Sequence, residues 1–556
     1  MNKSILQAIR YILLFLLGAG SLFLSSGAFV DVHLAPKWYS TIFCGIVLMA
    51  VCLVFSLLHN ADKEKKPSMA AFFCFIVSVL CTAQAVYGIL QYAKILPSIG
   101  SFRITGSFDN PAGFAACLCA VFPTIFYVLV INRLGQSWFT AITATIIASA
   151  IFLSGSRSGM ISLIIVSTVF SLYEYPKRRK IKLIMFFTVC LLFSTSYFLK
   201  KDSADGRLLI WRCSWEMVKE KPLFGHGYGG FKANYMNFQA DYFTQNPDSE
   251  YAMLADNVNR PFNEYISLII NYGLVGLLVF LVFCRFLWRS FLRGRQEPLV
   301  RSAVFSLLSI AVFAAFSYPL TYPFVWIMVI FNIIIIIYKA KYSIKIPKKI
   351  LLSAKLLAIP AIIYFGFTMY QRMNNEILWC RIANQSLAGK TEQMLPEYEK
   401  LHTALSDNEL FLYNYTAELN VAKFYERSLE IGRKCERLWA DYDLQMLMAD
   451  NYEQLRQYEE AEQHYRKAAA MCPVKFMPLY RLVKLYNARG DKARALNLAK
   501  IILRKKIKIP SATIQSIKHE MYRVIEEAPK PQKSDNQPAI VPQERMMQEL
   551  ENTQIG

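Results

Sequence analysis

Apolar stretches long enough to cross a bilayer recur along this chain up to about residue 370 and then stop. A run of roughly 18 or more apolar residues spans a hydrocarbon core of about 30 Å as a helix. Repeated helices are the form such a chain must take, because lipid offers no partner for an unpaired peptide group. The candidate spans are roughly 7–30, 38–58, 69–92, 111–131, 137–153, 158–174, 181–199, 263–284, 302–318, 321–338 and 351–369. The first has signal-peptide features, with Lys3 and Arg10 ahead of the run and Ala19, Gly20 and Ser21 behind it. It reads as an uncleaved helix because the run continues through Phe29, and cleavage stays open as the alternative.

The composition agrees, with 54% hydrophobic and only 18% charged residues; a soluble domain carries about a quarter charged. The net charge of +22 invites a nucleic-acid reading, but the position of the charges argues against one. Basic residues gather in alternate short loops: Lys63, Lys65 and Lys66; Lys177 to Lys182; Arg285 to Arg301; and Lys339 to Lys349. With Lys3, Arg10 and Arg133 they account for about the whole excess, which is the positive-inside pattern. It predicts a cytoplasmic N-terminus and puts the segments 93–110 and 200–262, and everything after 370, on the outer face of the inner membrane. The long polar segments are then all external, and the chemistry is expected there. The partners implied so far are membrane lipids, with no nucleic acid.

The expected fold is all-α: a polytopic membrane bundle of about eleven helices over 1–370, with a large external loop at 200–262, and a soluble helical-repeat domain over 371–526. The polar, proline-containing tail 527–556 reads as disordered. Within the repeat region, Ala449, Tyr452, Tyr458, Ala461, Tyr465, Ala468 and Pro473 fall at tetratricopeptide spacing. Val483, Tyr486, Gly490, Ala495 and Ala499 occupy equivalent places 34 residues on. A solenoid of this kind suggests a protein partner, and a structural cap on the membrane domain is the alternative. The cysteines form no CxxC or zinc spacing, no metal site is visible and no cofactor is expected. The glycine-rich run GHGYGGF at 225–231 is not a nucleotide loop, because no strand precedes it.

Four motifs lie in the external segments. SFRITGSFDNPAG, Ser101 to Gly113, opens a helix at Asn110-Pro111. SGSRSG, Ser154 to Gly159, puts Arg157 at a membrane edge. The segment Gly206 to Phe231 carries Arg207 and Trp211 on a helical pattern and ends in a glycine-rich turn. NEYISLIINYGLVG, from Asn263 to Gly276, opens the helix after the long loop.

On these residues the chain resembles the O-antigen ligase and Wzy-type polymerase superfamily, which includes bacterial protein O-oligosaccharyltransferases. The matching features are the arginine in a small-residue turn, the GR…W segment leading to PLFG-G, and Asn263 followed by Gly273 and Gly276. The resemblance covers roughly residues 60–340. It implies a GT-C-like membrane glycosyltransferase of the cell envelope, acting in lipopolysaccharide or other polysaccharide biosynthesis. The donor it implies is a glycan on a polyprenyl (undecaprenyl) diphosphate. The acceptor is lipid A core, a growing polymer or a protein, so ligase, polymerase and O-oligosaccharyltransferase all stand. A lipid-linked glycan transporter and a non-enzymatic scaffold are the other classes.

A diphosphate leaving group needs fixed cations, and the planar arginine fork suits it. Arg157 and Arg207 are the main candidates, with Arg103 and Arg260 as lesser ones. The chain departs from the family at one place: the family's His-Asn pair is Phe262-Asn263 here. His226 or Glu264 is expected to serve as the base, or the acceptor has changed, or activity has been lost.

Overall fold

The computed structural model describes residues 3–58, 69–132, 137–174, 201–342 and 347–527. The chain divides into two compact units, Met1–Lys475 and Phe476–Gly556. Among the described residues the regular structure is helical throughout.

The membrane bundle begins with α1 (Lys3–Phe23), α2 (Ala35–Leu58), α3 (Met69–Tyr92), α4 (Pro111–Asn132), α5 (Ser137–Leu153) and α6 (Arg157–Glu174). The expected span 181–199 lies outside the described residues. Next come α7 (Lys201–Glu220) and α8 (Gly230–Gln245), which build the long loop, and then α9 (Glu264–Gly294), α10 (Pro298–Ala314) and α11 (Pro323–Lys339). Helix α12 (Lys348–Gln385) closes the bundle and runs past it. Five helices among the described residues are long and apolar enough to cross a membrane, and five further apolar helices are shorter.

Helix α4 is the hub. Phe114 to Val121 are all buried, and α3, α5, α6, α10 and α11 pack around them. Pro123 lies inside α4 and has no N–H to give the carbonyl of Cys119. Ser309 Oγ of α10 donates to that carbonyl at 2.8 Å. Ser306 Oγ donates to Ala120 O at 2.6 Å and Ser302 Oγ to Pro123 O at 3.3 Å. A serine row on α10 thus replaces the bond that the proline removes, as an apolar environment demands. Gly159 lets α6 approach equally closely, since a Cβ there would sit 3.0 Å from the Cβ of Ala115.

Helix ends differ from expectation, α9 among them, which runs to Gly294 rather than 284. Helix α1 ends at Phe23, and the apolar run to Phe29 continues as turns. Helix α10 ends at Ala314, which frees residues 315–322 as a connecting segment. Helix α12 continues well past 369, so the expected domain boundary at 370 falls inside one helix.

Beyond α12 the first unit continues as α13 (Thr391–His402), α14 (Glu409–Val421), α15 (Tyr425–Glu436), α16 (Tyr442–Gln454) and α17 (Tyr458–Met471). Neighbours pack as hairpins, α14 with α15 and α16 with α17. Ala449, Ala461, Tyr465 and Ala468 are fully buried. The second unit holds α18 (Met477–Ala488), α19 (Lys492–Arg504) and α20 (Ala512–Glu526), packed in sequence around Val483, Ala495, Ala499 and Ile502.

Candidate functional site

The motif segments meet at residues 315–322, a stretch that the sequence reading had not marked. Its signal was there in Tyr-Pro-Leu-Thr-Tyr-Pro, an aromatic and proline run between two apolar helices. Tyr318 stacks on Tyr322 with ring centroids 6.5 Å apart. Phe262 meets Tyr318 edge-on at 5.4 Å. The guanidinium of Arg260 lies 5.1 Å from the Tyr318 ring centre, and that of Arg207 lies 5.6 Å from the Phe262 ring centre, both within cation–π range.

Each side chain is set from its own element. Arg207 and Trp211 are one helical turn apart on α7 and so share a face. Trp211 Nε1 donates to the Pro261 carbonyl at 3.0 Å, which ties that face to the Arg260–Phe262 segment. Arg157 is the first residue of α6; beside it Ser158 Oγ donates to the Phe316 carbonyl at 2.9 Å. Asn110 caps α4, its Oδ1 accepting from the N–H groups of Ala112 and Gly113 at 2.8 and 3.1 Å. Its amide donates to the Tyr322 hydroxyl at 3.0 Å and to Asp109 Oδ2 at 2.9 Å. Asn263 caps α9 through Tyr265 N and Ile266 N at 2.9 and 3.1 Å. Glu264 Oε1 accepts from Leu320 N at 3.3 Å and so braces the 315–322 segment.

The electrostatics are cationic. Burial pushes the Arg207 guanidinium down to about 10; the Arg157 charge adds to the fall and Tyr318 opposes it. The two arginines are therefore close enough to repel each other. No carboxylate pairs with Arg207 among the described residues. Tyr318 is pushed up by burial and by Asp109, against the pull of Arg260 and Arg207. One exposed carboxylate, Asp109, thus faces the hydroxyl side of the same tyrosines.

The glycines act elsewhere. Gly273 has φ 63° and ψ −161° inside α9 and breaks the helix there. The turn at 222–227 fills the break: His226 N and Gly227 N donate to the carbonyls of Ile270 and Asn271 at 2.8 and 2.9 Å. Leu274 N and Val275 N donate back to Pro222 O and Leu223 O at 2.9 and 3.1 Å. Gly276 lies just beyond, where a Cβ would strike Tyr272.

Arg157, Arg207 and Arg260 therefore come together with Glu264, and Asn263 begins the helix beside them. Arg103 stands exposed on the 93–110 segment. His226 is also apart. Its Nε2 lies 2.9 Å from the Met217 carbonyl and its ring meets Phe238 edge-on. Met217 is ten residues along α7 from Arg207, about 15 Å by helical rise. Among the described residues no three metal-binding side chains converge.

Residues 142–281 match the family model described as O-antigen ligase. This part of the chain is an O-antigen ligase domain. The match runs from α5 into α9 and includes Arg157, Arg207, Arg260, Asn263, Gly273 and Gly276. No curated protein matches the chain. The chain's apolar helices fit an integral membrane protein, and its residues 142–281 are similar to O-antigen ligases, which carry out membrane glycan transfer.

Proposed function

We propose that this chain transfers a glycan from a polyprenyl diphosphate carrier to an acceptor hydroxyl on the outer face of the inner membrane, in the manner of an O-antigen ligase. The reading rests on one observation above all: Arg207 and Arg260 lie on the same aromatic pair, 5.6 Å from the Phe262 ring and 5.1 Å from the Tyr318 ring, and the charge of Arg157 also weighs on the Arg207 guanidinium. Like charges held together in a partly dry site cost stability, and a dianionic ligand between them repays that cost. The acceptor oxygen attacks the anomeric carbon, the bond from that carbon to the diphosphate oxygen breaks, and the diphosphate leaves with the electron pair. Arg157 and Arg207 stabilise the charge that builds on it, with Arg260 as a third cation, and this is the main catalytic contribution.

With the family histidine replaced by Phe262, the proton of the acceptor passes to a carboxylate. Asp109 suits that role because it is exposed beside the Tyr318 and Tyr322 rings. Glu264 is already engaged with the Leu320 amide and acts as a brace. The basic loops support an orientation with the N-terminus inside and the α13–α17 hairpins in the periplasm. The hairpins are read as tetratricopeptide-like repeats over 371–526.

The test is deletion of the gene and complementation with wild type, Arg157→Ala or Arg207→Ala, followed by gels of surface polysaccharide and glycoprotein. Loss of polymer linked to lipid A supports the ligase. Shortened chains point to a polymerase, and lost protein glycosylation to an O-oligosaccharyltransferase. Wild-type profiles from both arginine variants would overturn the transferase reading.

A further inference from the structure

The segment 255–262 carries Arg260 and Phe262 into the aromatic cluster, yet it has no regular secondary structure. Ordering such a stretch costs backbone entropy at every residue. Something must hold it, and nearly every residue has a holder. Gln239 of α8 donates to Asp256 O at 3.0 Å, and Val258 N donates to Met236 Sδ at 3.4 Å. Trp211 of α7 holds Pro261 O. The two remaining ties come from the junction between α15 and α16. Asn257 Nδ2 donates to Asp441 Oδ2 at 2.6 Å, and Trp439 Nε1 donates to Asn259 Oδ1 at 2.9 Å. Arg260 is the next residue.

The same junction grips α8. Ala440 N donates to Lys232 O at 3.1 Å, the Lys232 ammonium lies 5.3 Å from the Trp439 ring centre, and Lys232 pairs with Glu409. At the far end of the hairpin, Met471 O accepts from the buried Gln239 amide at 2.6 Å. Asp441 is itself fully buried and caps α16 with its other oxygen, which accepts from Asp443 N and Leu444 N at 2.8 and 3.0 Å. One carboxylate thus fixes a helix start in the hairpin region and a loop residue 184 positions earlier.

We infer that the α15–α16 junction is a clamp on the active loop, with Asp441 and Trp439 as positioning residues that set Arg260 and Phe262 against Tyr318. The inference rests on the transferase reading only for its catalytic consequence. The clamp itself is a statement about the order of residues 255–262. It gives the hairpin region a role within the chain, whatever else the region binds.

A carboxylate swap tests it in the full-length protein in nanodiscs. Asn257→Asp sets a second, half-buried carboxylate against the buried Asp441 and breaks the tie by repulsion. Adding Asp441→Asn restores one donor and one acceptor, and asparagine still caps α16. Two readouts are needed: hydrogen exchange across 255–262, and transfer of the lipid-linked glycan extracted from the cells that carry the gene. Asn257→Asp is expected to speed exchange in this segment and to lower transfer about tenfold, the worth of one charge-assisted hydrogen bond. Asn257→Asp with Asp441→Asn is expected to return both readouts to near wild type, a rescue that a general loss of folding would not show. Trp439→Phe keeps the ring over Lys232 but loses the bond to Asn259, and should speed exchange to a lesser degree. Unchanged exchange in Asn257→Asp, or no rescue by the swap, would overturn the clamp. Arg157→Ala and Arg207→Ala run alongside separate the two ideas: if both transfer normally the transferase reading falls, while the exchange data still decide the clamp.

Discussion

Replacing Gly273 by alanine should open the junction between α9 and the 222–227 turn. The backbone at φ 63° and ψ −161° belongs to a region that only glycine occupies without strain. A Cβ there would lie 2.2 Å from the Leu223 carbonyl oxygen and 2.4 Å from its carbon, both backbone atoms with no side-chain torsion to relieve the clash. The backbone strain costs about 1–3 kcal/mol. Moving Leu223 aside weakens two or more of the four bridging hydrogen bonds, at about 1 kcal/mol each. The sum is about 3–5 kcal/mol of local stability, or exchange roughly 10²- to 10⁴-fold faster at the amides of His226, Gly227, Leu274 and Val275. Hydrogen exchange by mass spectrometry on the purified variant reads this directly. Wild-type protection of those amides in Gly273→Ala would refute the reasoning, because it would show that the glycine is not what permits the break.

His226→Ala removes one bond to the Met217 carbonyl and should cost about 1 kcal/mol of loop stability while transfer stays within a few-fold of wild type; a hundredfold loss in an initial-rate assay would put His226 back in the reaction. Asp109→Asn should lower transfer by about 10²- to 10⁴-fold, whereas Glu264→Gln keeps an oxygen for the Leu320 amide and should retain most activity. The reverse order in the same assay would exchange their roles. Arg207 has a folded pKa below its unfolded value, so its buried charge destabilises the protein below about pH 10 and that cost fades as pH rises through about 10. Arg207→Met should therefore unfold at a higher temperature than wild type at pH 8, with the gap narrowing above about pH 10, and a thermal unfolding series across pH checks the sign.

How far the sequence reached depended on the range of the interaction. Starts such as Asn110-Pro111 and Asn263-Glu264 were legible because capping is written in adjacent residues. Ten of the eleven expected spans correspond to described helices, since apolar length is a local property. The end of α12 was not legible at 369, because a helix leaving lipid changes its composition without changing its backbone. Arg157 and Arg207 were marked as candidates from motifs alone, but the place of Tyr318 beside Arg207 and Arg260 depends on α10 ending at Ala314. His226 looked like a base because it was the only histidine in its loop, and only the fold turns its ring toward Met217. Asn257 and Asp441 carry no pattern that would pair them across so long a separation.

The central claim is that Arg157 and Arg207 together hold the departing diphosphate. The most direct measurement is turnover of purified lipid-linked glycan by wild type, Arg157→Ala and Arg207→Ala in nanodiscs, with released polyprenyl diphosphate as the readout. The account predicts release by the wild type and at least about a hundredfold less from each variant, with membrane insertion unchanged. Release from both variants at the wild-type rate would contradict it.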